Sequence, residues 1–103
     1  MTHRAKKIVI ITEKLILDEV TKVIEYCGAT GYTITAAGGK GSRGIRADRG
    51  GVSDAFVNIK IEVITANDEL AQNIIDTVAE KFFSNYSGIA YLENVEILRP
   101  QKF

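Results

Sequence analysis

One cysteine, Cys27, is all that this 103-residue chain contains, so neither an internal disulfide nor a cysteine-rich zinc site can form. A lone thiol fits a reducing compartment. Histidine is as scarce: His3 is the only one, expected in a frayed N-terminus, and it leaves no Ser-His-Asp or Cys-His set for nucleophilic catalysis. Charge of either sign in excess is missing too. Thirteen basic residues balance thirteen acidic ones, so no global field draws in nucleic acid or an anionic membrane, and any anion site has to be local. Long hydrophobic runs are also lacking. The stretch Ile8–Thr12 in "MTHRAKKIVIITEK" is too short for a signal-peptide core or a membrane span, which predicts a cytoplasmic protein with no direct membrane insertion.

What is present reads as one domain over residues 1–103, with no linker, repeat or low-complexity tail. "KKIVIITE" (Lys6 to Glu13) is β-branched and apolar on both faces, the mark of a central strand. From Lys14 the period changes, and Ile16, Val20, Val23, Ile24 and Cys27 form one face of a helix ending at Gly28. "GYTITAAGG" supplies a second strand over 32–37. In "AFVNIKIEVIT", Val57, Ile59, Ile61 and Val63 share one face while Asn58, Lys60 and Glu62 share the other. Asn67 then caps a helix whose inner stripe is Leu70, Ala71, Ile74, Ile75, Val78 and Phe82. "SNYSG" breaks that helix, "IAYLENVEIL" is a fourth strand, and Pro100 ends regular structure. The order predicts an α+β, ferredoxin-like βαββαβ domain: a four-stranded antiparallel sheet with two helices on one face. A two-layer domain leaves its other sheet face open, and Ile10, Ile64 and Tyr91 are expected to place apolar groups near it. A chain this small gains from self-association, so an oligomer is expected to cover that face.

The local anion site, if there is one, lies in "GGKGSRGIRADRGG", residues 38–51. Lys40, Arg43, Arg46 and Arg49 face only Asp48 there, a local excess of positive charge inside a neutral chain. The glycines let successive amides form an anion-binding nest, Ser42 adds a hydroxyl, and the arginines add planar forks for phosphate. A solvated hairpin connection would look much the same. The stretch is not a P-loop, since Lys40 is followed by Gly41, and it is not a dinucleotide fingerprint, since it opens no helix.

Taken together, "IVIITEK", "GATGYTITAAGGKGSRGIR", "NIKIEVIT" and "FFSNYSGIAYLENVEIL" resemble the PII-like signalling proteins of the inorganic-carbon branch. The resemblance runs from about Lys7 to Leu98, and "GYT…GGKGSR…R" is its most specific part. It implies a homotrimer that binds an adenine nucleotide (AMP, ADP or cyclic AMP) in clefts between subunits, responds to bicarbonate, and is not an enzyme. The loop at about 38–54, the T-loop, would contact a bicarbonate transporter or a carboxysome-related protein. Carried over by position, the resemblance puts Gly39, Lys40, Gly41, Ser42, Arg43 and Arg46 around the phosphate. It puts Gly88 and Ile89 against adenine and ribose, with Ile64 and Thr33 in the same cleft. Gly44 stands where better-known members carry asparagine, and the chain has no cysteine-bearing tail, so redox control and nucleotide hydrolysis are not implied. The short segment before the last strand points away from tight ATP-plus-2-oxoglutarate sensing.

Other residues carry weaker signals. Glu13 and Glu62 lie near strand ends, where a carboxylate either orients a ribose or metal or pairs with a lysine or arginine. Asp18, Glu19 and Glu25 fall on the outer face of the first helix as solvated charge, and Cys27 on its inner stripe. Tyr86 and Tyr91 either stack on a base or pack. An RNA-binding module on this fold would want exposed aromatics on the two central strands, where Asn58, Lys60 and Glu62 stand instead. An acylphosphatase-like hydrolase would want an arginine-bearing loop after the first strand, where this chain has "TEKLIL".

Overall fold

Three consecutive residues that no solvent reaches, Ile8, Val9 and Ile10, mark the middle of the sheet. They belong to β1 (His3–Glu13) in a computed structural model that describes residues 1–38 and 57–103, together with the backbone of two short strands between them. Alternate side chains of a strand point to opposite faces, so a fully buried run needs cover on both. β1 gets flanking cover from β5 (Asn58–Thr65) and β6 (Gly88–Ile97), each antiparallel to it, while β2 (Thr33–Ala37) pairs with the outer side of β5. The strand order is β2-β5-β1-β6. The two short strands, β3 (Lys40–Gly41) and β4 (Gly44–Ile45), pair as a separate antiparallel ribbon.

Both helices pack on one face. Lys14–Ile16 forms a 3-10 turn that leads into α1 (Leu17–Tyr26), and α2 spans Asp68–Phe82. A ten-residue helix is marginal in water by itself, so packing has to hold α1. Val20 and Ile24 supply it by joining Ile8, Ile10, Ile61, Val63, Ile74 and Val78 in a single core. Fully burying such a side chain contributes about 1.5–3 kcal/mol. After Cys27 the chain leaves α1 through Gly28 at φ 105°, a left-handed position where a side chain would be strained. Asn67 caps α2 as expected, its Oδ1 accepting from the Leu70 N–H at 3.0 Å.

The ferredoxin-like arrangement is therefore present, with three corrections of detail. Ile10 does not lie near the open sheet face. It belongs to the core under the helices, and alternation gives the open face to Val9 and Ile11 on either side of it. His3 is not frayed, because it begins β1 opposite Ile97. Regular structure continues past Pro100: Arg99 takes a left-handed turn at φ 54°, and Pro100–Lys102 forms a 3-10 turn. That turn docks back on the sheet. The Phe103 carbonyl accepts from the Ala66 N–H at 3.1 Å and from the Thr65 hydroxyl at 3.2 Å, and the Thr30 hydroxyl donates to the Lys102 carbonyl at 3.0 Å.

Candidate functional site

The register fixes which candidate residues lie near one another. Ala37, the last residue of β2, stands opposite Asn58, and Asn58 stands opposite Glu13. Gly88 pairs with Thr12 and Ile89 with Ile11. The root of the glycine-rich segment and the start of β6 therefore share one end of the sheet. Lys40 and Gly41 follow directly, and their backbone forms the β3–β4 ribbon. Gly39, Ser42, Arg43 and Arg46 lie outside the described residues, as does the side chain of Lys40.

Ile64 and Thr33 sit elsewhere. Ile64 pairs with Lys7 and Thr33 with Glu62, several residues further along the strands. Five residues along β1 at about 3.3 Å each, and two strand spacings of about 4.8 Å, put Ile64 about 19 Å from Gly88. Ile64 and Thr33 do share one depression, of about 370 Å³, with Lys7, Gly31, Tyr32, Glu62 and Phe103. Neither Gly88 nor Ile89 lines it. The candidate residues thus fall into two groups, at opposite ends of the sheet.

Charged side chains gather near Ile64. Lys7 bridges Glu62 and Glu93, at 3.3 Å each, and Lys60 stands 3.9 Å from Glu62. Val9, on that open face, is inaccessible to solvent and stands opposite Glu62 on one side and Tyr91 on the other. The flanking carboxylates, Glu93 first and then Glu62, hold the Lys7 amine above its ordinary value of 10.5. A folded-state value raised in this way stabilises the protein fully below pH 10.5, and the contribution is lost as pH rises through the folded value. Lys7→Met is expected to shrink the fall in denaturation midpoint between about pH 9 and pH 12, read against wild type. Tyr32 shifts upward too, because its hydroxyl donates to Glu25 at 2.9 Å. Glu25 is thus not simply solvated.

The backbone at Gly88 is closely packed. Gly88 admits no side chain: a Cβ there would lie 2.6 Å from the Phe83 ring and 3.0 Å from the Ile11 carbonyl oxygen. Ile89, beside it, is 51% exposed and presents an apolar wall. Glu13, left open between two roles in the sequence, pairs with backbone and, among the described residues, with no lysine or arginine. Its Oε2 accepts from the Ser87 N–H at 2.7 Å. Among the described residues no group of three His, Cys, Asp or Glu side chains gathers for a metal, and no helix is long and apolar enough to cross a membrane. Cys27 and Tyr86 pack against the core, and Tyr91, 38% exposed, lies opposite Val9. Sequence reasoning missed Phe103, Lys7 and Tyr32 as lining residues. Only the backbone bonds of the folded-back segment bring Phe103 there, and no motif announces those.

The described residues thus form a four-stranded sheet with both helices on one face and a shallow depression at Thr33 and Ile64. Comparison with known proteins agrees with that fold. The model of the family described as nitrogen regulatory protein P-II matches residues 5–102. A protein described as PII-like signalling, from Thermus thermophilus, is 37% identical over 99% of this chain and 97% of its own, with a TM-score of 0.81. CPII, a nitrogen regulatory PII-like protein from Thiomonas intermedia solved with ADP, AMP and bicarbonate, is 27% identical over 100% of this chain and 96% of its own, with a TM-score of 0.86. With ADP and bicarbonate alone, CPII is 29% identical over 100% of this chain and 97% of its own, at a TM-score of 0.85. The chain belongs to the nitrogen regulatory protein P-II family. Within that family it is a PII-like regulatory protein.

Proposed function

We propose that the chain works as a homotrimeric regulator that binds an adenine nucleotide, of the AMP, ADP or cyclic AMP class, in three clefts between subunits. Bicarbonate is its second signal. The observation that carries this reading is CPII, alike over the full chain and solved with ADP, AMP and bicarbonate. The split site supports it. Gly88 and Ile89 of one subunit would meet Thr33 and Ile64 of the next, making a cleft that neither has alone. Gly39, Lys40, Gly41, Ser42, Arg43 and Arg46 would surround the phosphates, where amide donors and guanidinium forks suit an anion. The segment at 38–54 would report occupancy to a bicarbonate transporter or a carboxysome-related protein.

Calorimetric titration with ADP, AMP, ATP and cyclic AMP, each with and without bicarbonate, tests the reading. Saturation near one site per chain, shifted by bicarbonate, is expected, and no heat with any of them would overturn it. A monomer in sedimentation equilibrium at micromolar concentration would remove the shared cleft. Arg46→Ala is expected to weaken nucleotide binding by about 1.5–3 kcal/mol, the range for a charge-assisted hydrogen bond. Unchanged affinity would release Arg46 from that role.

A further inference from the structure

Three consecutive residues at the end of β1 and just past it hold two separate parts of the chain. The Thr12 hydroxyl, fully buried, donates to the Ser87 carbonyl at 2.7 Å. Glu13 takes the Ser87 N–H at 2.7 Å, and its Oε2 lies 3.4 Å from the Ser87 hydroxyl. Ser87 is thus gripped through both of its backbone polar groups, immediately before Gly88. The Lys14 N–H then donates to the Val57 carbonyl at 2.7 Å, which anchors the residue just before β5. Asn58, next to Val57, is buried and stands opposite Glu13 in the ladder.

A half-buried carboxylate costs desolvation free energy, and two donors from one residue offset it only if that residue stays in place. Glu13 and Ser87 therefore fix each other. From this geometry we infer that Glu13 is a positioning residue. It sets the backbone of Ser87, Gly88 and Ile89, and through Lys14 it makes that wall and the Val57 root of β5 a single mechanical unit. The inference rests on the nucleotide reading above for its consequence, but the link itself does not need a ligand. A nucleotide pressing on Gly88 and Ile89 would be felt at Val57 through Thr12, Glu13 and Lys14, without a change in the core.

Glu13→Ala and Glu13→Gln separate the parts of this claim. Glutamine keeps a carbonyl acceptor for the Ser87 N–H, and alanine keeps none. ADP titration is expected to show affinity at least tenfold weaker for Glu13→Ala, with Glu13→Gln recovering to within about threefold of wild type. Amide hydrogen exchange without nucleotide is expected to speed up at Ser87 in Glu13→Ala, and also at Lys14, whose N–H bonds Val57. Wild-type ADP affinity in Glu13→Ala would overturn the positioning role. Unchanged exchange at Lys14 beside faster exchange at Ser87 would overturn the link. Should wild type itself take up no ADP, the nucleotide reading fails, and the exchange result still decides the link. If Glu13→Ala does not fold, Glu13→Gln carries both measurements, with full affinity and unchanged Ser87 exchange expected only if the acceptor, not the charge, does the positioning.

Discussion

Ile10→Ala is expected to lower the unfolding free energy by about 2–5 kcal/mol, the range for removing a large aliphatic side chain from a core that relaxes only in part. Ile10 is inaccessible to solvent and sits in the core with Ile8, Ile24, Ile61 and Ile74. It is on a central strand, opposite Ile61 on one side and Ala90 on the other. Neither neighbouring strand can move inward without dragging its own ladder, so the vacated volume stays largely open. Domains of this size hold about 5–15 kcal/mol in total, so the loss is a large share. Urea denaturation at fixed protein concentration reads it as a lower midpoint with an unchanged slope. Leu15→Ala is the control: that side chain is 77% exposed, and its truncation should stay within about 0.5 kcal/mol. A loss under about 1 kcal/mol for Ile10→Ala would mean that the residue belongs to the open face after all.

Much of this fold was legible because its strands and helices carry different periods. The alternation through "NIKIEVIT" and the three- and four-residue steps of Ile16, Val20, Val23 and Cys27 each admit one reading. Ile10 shows where that kind of reasoning stops. In "KIVIIT" apolar residues fill both faces, so period alone cannot say which isoleucine faces the helices; only the register with β5 and the helix contacts decide it. The fold-back at Arg99–Phe103 was illegible for another reason. It rests on backbone carbonyls of Lys102 and Phe103, and any residue type presents those.

The candidate site divides along the same line. The motif "GGKGSRG" was singled out by chemistry that its residue types display, and it falls largely outside the described residues. Glu13 displayed a carboxylate near a strand end and nothing about its partner, since the partner is a backbone N–H 74 residues away. Lys7 was lost inside a strand signal, where its amine reads as an interruption of an apolar run. In the folded chain it stands between two carboxylates, at the lip of the depression that holds Thr33 and Ile64.

Gly88→Ala is the second large effect. The new methyl group would start 2.6 Å from one Phe83 ring carbon, 3.0 Å from the next and 3.0 Å from the Ile11 carbonyl oxygen. The ring can turn aside only within a half-buried setting against the core. The carbonyl cannot move without loosening the ladder that pairs Ile11 with Ile89. Overpacking against fixed backbone puts the cost near the top of the usual range, about 3 kcal/mol, which lowers the melting temperature by roughly 10–20 °C in a domain of this length. Phe83→Leu in the same chain should return part of that loss by removing the ring atoms, a coupling between neighbours that separate measurements would not add up to. The pair of substitutions at positions 88 and 89 then sorts packing from binding. Ile89→Ala removes an exposed side chain, so its stability should change by less than about 0.5 kcal/mol while ADP binding weakens. Gly88→Ala should change both. A Gly88→Ala protein with wild-type melting and weaker binding would make that glycine a ligand contact alone, and the crowding at Phe83 and Ile11 would then have no part in its requirement.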